Sequence, residues 1–559
     1  MKARLLAKLS LWLEDPNPIL LKELRATFRT ALFARFLYIS VGLTSLFVLS
    51  AGAIMASGDV PPATVGQGLF QFFLGLTLFL ISLIAPGFAA TAITSEREQR
   101  TWESLLLSGM SASRIVNGKF LAAYASIALV IVSLAPVSGI GFLFGGVAPT
   151  QVVVGLLSML VALAPAIAFG LAVSARFQST RLSIVIATVF FLPTTFVGTL
   201  VMAAFGSVAH DQWHLPMEGP FFYTDAFATR PGEWDTWVLL LGGTAYAVGL
   251  PVWFLLASAV AGVRPAAENR SAPLKQWAMV NTLATAVVAF GFEMLSSSAR
   301  DQAKLGLFGL CMVGCLTGFY ALLFANEPPL PPRPYELALK NGPAWRRILG
   351  FFGPGAAGTL RFSALLIVVT SALSVAVVVG VRHLTHPSWN QHVEWDLASL
   401  VIAVGLAFVS LFAAAFGTWM RLVLRNGLAA RVITASVIAG AAVAPFMLAL
   451  AFDTHSVDRL DREAPLVVHF SAIYPAILAA ELNDMGWLEA LGNVFRISVT
   501  VVTYGLLALA CWATVEARVR TARRMTERRR AQLAGPAHET PPAAPSDAAS
   551  SESTPEPAG

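Results

Sequence analysis

The sequence predicts an all-α, polytopic membrane protein with about twelve transmembrane helices, arranged as two parallel six-span halves with both termini cytoplasmic. Composition, the length of the apolar runs and the alternation of charge between successive loops carry that prediction. Hydrophobic residues make up 56% of the 559-residue chain and charged residues only 13%, with a mean hydropathy of +0.69. A soluble domain holds roughly a quarter charged residues, so a soluble fold is excluded. Crossing the hydrocarbon takes roughly 20 apolar residues, and only a helix satisfies its own backbone hydrogen bonds along such a run. The dyad alternation of an outer-membrane barrel is absent.

Apolar runs of that length fall at about 33–55, 66–93, 120–145, 151–174, 182–206, 236–262, 277–297, 305–325, 362–381, 397–420, 432–452 and 493–515. The net charge of +6 is read by position, as orientation and not as a nucleic-acid partner. Basic residues collect in alternate loops: the N-terminal segment, Arg97–Lys119, Arg176/Arg181, Arg264/Arg270/Lys275, Arg333/Lys340/Arg346/Arg347, Arg421/Arg425/Arg431, and Arg518–Arg530. The loops between them are acidic or neutral, with Asp59, Asp211, Asp225, Glu233, Asp235, Glu394, Asp396, Asp453, Asp458 and Glu481. Trp213, Trp234, Trp237, Trp389 and Trp395 stand there near span ends, as interfacial anchors do. The apolar segment Pro465–Leu482 reads as a short interfacial or re-entrant hairpin, because a further span would place the basic tail outside.

The first apolar run lies behind a long charged segment, so no cleavable signal is expected. In that segment Leu21, Leu24, Phe28 and Leu32 recur at helical spacing, with Lys22, Glu23, Arg25 and Arg29 between them. Asn17 and Pro18 are placed as N-cap and first-turn proline, which predicts a helix lying on the cytoplasmic membrane face. Cys311, Cys315 and Cys511 all lie in apolar runs and read as small hydrophobes.

The stretch Thr94–Ala122 interrupts the membrane pattern. Residues Ser95–Leu107 can form a short helix with Trp102, Leu105 and Leu106 on one face and Glu and Arg residues at pairing intervals. Ser108-Gly109 can end it and Ser111 can cap the next helix. Joined rigidly to two spans, such an elbow would pass a push from a cytoplasmic partner into the bilayer.

The elbow's E-R-E-x-x-T-W-E-x-L-L-L-S, its R-I-V-x-G-K-F continuation, and the opening N-P-I-L-L-K-E-L-R resemble type-2 ATP-binding-cassette permeases over residues 17–210. The second half shares their topology. The resemblance implies a permease subunit of an ATP-driven exporter in a bacterial inner membrane, with ATP and Mg bound by a separate ATPase subunit and no cofactor on this chain. It further implies a coupling helix between the second and third spans. Glu96, Glu98, Arg100, Trp102 and Glu103, with Leu105 and Leu106, would form the coupling contact or hinge, and Asn17, Pro18, Lys22 and Glu23 would belong to the interfacial helix.

The expected units are 1–265, containing the elbow 94–122, a degenerate repeat at 266–520, and a disordered tail at 521–559. The outer loops 207–235 and 453–492 correspond, each with a proline-aromatic patch, Pro220–Tyr223 and Ile473–Pro475. The inner loops Ala175–Arg181 and Leu424–Arg431 correspond as well, and an even number of spans makes the repeats parallel. The segment Pro334–Phe352, facing the same side as the elbow, lacks its glutamates, and Gly342-Pro343 would break a helix there.

No Gly-x4-Gly-Lys-Ser/Thr loop is present: Gly118-Lys119 is followed by Phe120, and Ser113 stands where the first glycine belongs. The chain is therefore not expected to hydrolyse ATP by itself. His210, His214, His383, His386, His392, His455 and His469 all fall in predicted outer regions and read as solvated loop residues, not metal ligands. Glu293 and Asn281 share one apolar run, where Glu293 reads as an outer-boundary residue. The alternative function is an ion-coupled secondary transporter, which the scarcity of intramembrane charge disfavours. The transported substrate has no signature in the sequence.

Overall fold

The apolar runs of the sequence are helical among the described residues, and four-residue stripes of small and aliphatic side chains decide how those helices pack. The computed structural model describes residues 17–215, 219–265, 268–293, 299–325, 327–343, 350–387, 392–424, 426–452, 470–472 and 487–533. No strand occurs among them. Helix α1 is Pro18–Phe28, and α2 (Ala31–Ala56) and α3 (Pro62–Glu98) are the first two spans. The short α4 (Trp102–Leu107) precedes α5 (Ala112–Ser133), α6 (Pro149–Ser174) and α7 (Thr180–Trp213). A short α8 (Phe222–Thr229) leads to α9 (Trp234–Thr244), which runs through a π turn at Ala245–Gly249 into α10 (Leu250–Val263). The second half holds α11 (Ala272–Glu293), α12 (Ala299–Phe324), the short α13 (Arg333–Lys340), α14 (Ala356–Thr385), α15 (His392–Leu424), α16 (Gly427–Phe452) and α17 (Trp487–Leu533).

Among the described residues, eleven helices are long and apolar enough to cross a membrane. The remaining expected span is α11, a 22-residue helix whose Lys275, Asn281 and Thr282 are buried against neighbouring helices. The run at 120–145 is interrupted: α5 ends at Ser133 and two single-turn helices, Ala135–Ser138 and Ile140–Leu143, follow it. Pro136 accounts for the break, since it cannot donate to the carbonyl one turn back. Pro86, Pro165, Pro193 and Pro445 stay inside their helices. Pro251 sits at the start of α10, directly after the π turn, a usual accommodation for a missing donor.

Helices α3 and α6 form the first core. Val65, Leu69, Phe73, Thr77, Ile81, Ala85, Ala89 and Ile93 are buried along α3 at four-residue intervals, and Gly155, Met159, Leu163, Ile167 and Leu171 repeat that interval on α6. Two such ridges interdigitate, which gives a close-packed seam instead of a sliding contact. Approach is closest at Gly170, where an added Cβ would lie 2.1 Å from the Pro86 carbonyl oxygen.

The two halves share a contact plan. In the first, α6 touches α3, α5, α7 and α10; in the second, α15 touches α12, α14, α16 and α17. The halves meet where α10 packs on α11, through Phe254 and Trp277 with ring centroids 4.8 Å apart and a Trp277 indole bond to the Leu250 carbonyl of 2.9 Å. Short α8 is fixed against α6 by buried Asp225, which accepts from Gln151, and by Tyr223, whose hydroxyl donates to Ser158 at 3.0 Å. Burial pushes the Tyr223 phenol up to about 12, so it stays a donor.

Several expectations are refined. Residues 521–533, assigned to a disordered tail, continue α17, which at 47 residues is about 70 Å long and exceeds the ~30 Å hydrocarbon core. Arg530 on this extension lies 3.8 Å from Glu336 of α13. Cys315 is exposed on α12, whereas Cys311 and Cys511 are partly buried. His214 ends α7 in a left-handed conformation, and His383 pairs with Asp396 at 2.6 Å. The Pro465–Leu482 hairpin, the Ile473–Pro475 patch, Arg346, Arg347, His455 and His469 lie outside the described residues, as do the side chains of Glu293 and His392.

The packing yields a stability test. Gly170→Val should lower stability by about 1–3 kcal/mol through overpacking, read as a lower melting temperature in detergent. Gly198→Ala, with nothing within 4 Å of its added Cβ, should leave the melting temperature unchanged or slightly higher.

Candidate functional site

The elbow begins where α3 outlasts its apolar stripe. Ser95–Leu107 is two elements, not one helix: α3 ends at Glu98, and Arg100 takes φ 58°. That left-handed value costs an L-residue roughly 1–2 kcal/mol. The turn is closed by the Thr101 amide, which donates to the Glu96 carbonyl at 2.9 Å. Helix α4 then runs from Trp102 to Leu107. Ser108 and Gly109 (φ 74°) end it, and the Ser111 hydroxyl accepts from the Arg114 amide at 3.4 Å to start α5.

A buried cation joins three segments. The Lys119 ammonium, with its side chain 1% exposed, lies 2.9 Å from Glu96 at the end of α3 and 2.9 Å from Glu23 on α1. Lys22 approaches Glu96 from solvent at 3.9 Å. An isolated buried ammonium is costly, and two carboxylates compensate it only while both helix ends stay in place. Helix α1 is seated by the same region of α5. Asn17 caps α1 through the Ile19 amide at 3.1 Å and also donates to the Arg114 carbonyl at 2.7 Å. Pro18 supplies the first turn, and Ile19 lies over Gly118, whose added Cβ would come within 2.7 Å of the Asn17 amide.

Arg97 and Glu98 tie the elbow to the connection between α6 and α7. Arg97 donates to the Phe177 carbonyl at 3.0 Å and the Ala175 carbonyl at 3.1 Å, taking up carbonyls left free after α6 ends. Glu98 accepts from the Thr180 amide at 2.8 Å, at the start of α7, where a carboxylate meets free amides and the positive end of the helix. Ser174 accepts from the Ile93 and Thr94 amides at 3.0 and 3.1 Å. The elbow is thereby locked to α1, α5, α6 and α7.

What remains outward is short. Trp102 is half-buried, with Arg97 5.4 Å from its ring centroid, and packs against the buried cluster that includes Ile93, Val116 and Leu171. Leu105 is half-buried and Glu103 exposed, while Leu106 is 36% and Leu107 86% exposed. Arg100 is also exposed. Of the residues singled out from sequence, Glu96 and Glu98 are engaged within the chain, and Arg100, Glu103 and Leu106 face out. The principal residues missed as site elements are Lys119, Arg97 and Ser174. A cue for Lys119 was available, because a lysine directly at the start of an apolar run needs a carboxylate to be buried there.

These features define a helical membrane protein with a basic-side elbow clasped to four of its helices. Residues 35–214 match the family model described as ABC-2 family transporter protein. The matched stretch runs from the first span to the end of α7 and contains the whole elbow, so the resemblance read from the elbow holds over it. No curated protein and no solved structure matches the chain.

Lys119→Ala should cost about 3–5 kcal/mol, because it strands the partly buried Glu96 without its cation. Glu23→Ala, whose side chain is 31% exposed, should cost much less. Melting of the two purified variants beside the wild type measures the difference.

Proposed function

We propose that the chain is the membrane permease subunit of an ATP-driven exporter, and that a separate ATPase subunit, carrying ATP and Mg, presses on α4. The observation that carries this reading is the clasp: an exposed helix end, Leu106 and Leu107, on an elbow tied to the spans through Lys119, Arg97 and Glu98. A push on α4 reaches α3 and α5 directly, α1 through Lys119, and the α6–α7 connection through Arg97 and Glu98. The basic loops place this face inward by the charge rule, in a bacterial inner membrane.

Two parallel six-span halves fit the proposal. The matching contacts of α6 and α15 support an axis along the membrane normal. The cavity that changes access would then lie between the halves, and the α10–α11 seam would be its pivot. The second half offers a different inner element. Helix α13 carries Tyr335, Glu336 and Lys340 but, among the described residues, no equivalent of the Lys119 centre, and it is braced by Arg530 from α17. Coupling would therefore be lopsided, with the motor acting chiefly through α4.

Leu106→Glu with Leu107→Glu should abolish co-purification of the ATPase subunit and its transport-stimulated hydrolysis while leaving the melting temperature of the permease unchanged. An intact complex in that double variant would refute the α4 contact. Glu103→Ala should weaken the complex by less than the leucine pair.

A further inference from the structure

We infer that the inner end of the seam between the two halves is a binding site for a phosphate-bearing anion, held by Arg176, Arg421 and Arg431. The placement follows from packing. Arg176 comes directly after Ala175, which lies beneath Gly262 of α10 with 3.1 Å between its Cβ and a Cβ built on the glycine. Its guanidinium donates to Ser258 of α10 at 2.8 Å. Ala257 and Ala261 of α10 pack in one cluster with Phe324 of α12, and from the other side Arg431 donates to the Leu323 carbonyl of α12 at 3.0 Å. Gly417 of α15 packs against Ala325 and Thr434. Arg421 lies one turn beyond Gly417 and Arg431 about one turn before Thr434, so helical periodicity puts both on the same contact line. Both Arg176 and Arg421 act electrostatically on Arg431.

The group is not neutralised by the chain. Among the described residues no carboxylate forms an ion pair with any of the three. The Nε atoms of Arg421 and Arg431 are buried and lack a hydrogen-bond partner. A buried donor left without an acceptor is unfavourable, and more so on a charged group. Three like charges add mutual repulsion. One anion relieves both: a phosphate offers several acceptor oxygens in the geometry that the planar guanidinium fork matches. Arg176 is exposed and Arg431 partly so, which gives the ligand an approach from the surface. The ligand chemistry fits the headgroup of an anionic lipid and free phosphate alike. Because the cluster draws on both halves, its occupancy would hold them together at the inner end. This assignment is independent of the α4 contact, and its failure leaves that reading intact.

Native mass spectrometry and thermal melting of the full chain in detergent test it, with phosphatidylglycerol, phosphatidylcholine and inorganic phosphate as separate probes. Wild type should retain phosphatidylglycerol over phosphatidylcholine, or be stabilised by phosphate. Arg421→Gln and Arg431→Gln should each weaken binding about tenfold, the loss of one charge-assisted hydrogen bond. Arg421→Lys, which keeps charge but not the fork, should fall between, and Arg523→Gln on the α17 extension should match wild type. Retention of phosphatidylglycerol without a phosphate effect identifies a lipid site; displacement of the lipid by phosphate identifies a site open to free anions. Wild type that shows neither preference overturns the assignment even if the glutamine variants do not fold, as does equal binding in wild type and both variants.

Discussion

The arrangement around the elbow depends on one buried ammonium. Lys119 stands on the first turns of α5 with almost no exposed surface, and its charge is tolerated because Glu96 and Glu23 converge on it from α3 and α1. Those carboxylates are held in place by features that would mean little alone: the Asn17 cap, the absence of a Cβ at Gly118, and the left-handed turn at Arg100. If Lys119 and Glu96 separate, a charge is left in a poorly solvated place. That penalty makes the clasp behave as a unit, and a unit transmits displacement where a set of independent contacts would deform.

Much of the architecture was legible because membrane crossing imposes length and apolarity together. The expected runs are helical among the described residues, that at 120–145 broken after Ser133, and Asn17, Ser111 and Gly109 took the capping and turn roles their residue types suggest. The interior of the elbow was less legible. Glutamates in an exposed-looking loop read as contact or hinge residues, and the intrachain partners of Glu96 and Glu98 lie far along the chain, at Lys119 and the Thr180 amide. Periodicity reports neighbours three and four residues apart and carries no information on such pairs. Arg97 was hidden for the same reason, since its acceptors are backbone carbonyls that any sequence possesses. The basic run Glu516–Gln532 reads as a helix and lies within α17, because a helix already formed in the membrane propagates outward without a new nucleus.

The halves combine a common plan with unequal inner faces. Helices α6 and α15 occupy matching central positions: α6 packs on α3, α5, α7 and α10, and α15 on their counterparts α12, α14, α16 and α17. On the inner side the first half has the Lys119 clasp, whereas the second has α13 and the α17 extension joined through Glu336 and Arg530. Between them lies a cationic group with unfilled donors. On the proposed function, one firmly braced lever and a seam that takes an anion would convert a push on one side into rotation of one half against the other.

The most direct measurement is the distance between spin labels at Ser104 on α4 and Gln178 in the α6–α7 connection, both exposed, in the complex with its ATPase subunit before and after ATP binding. A rigid clasp predicts an unchanged distance within this pair, while the distance from Ser104 to Leu337 of α13 shifts as the halves move. A change in the Ser104–Gln178 distance on ATP binding, with the Ser104–Leu337 distance constant, would contradict transmission through the clasp.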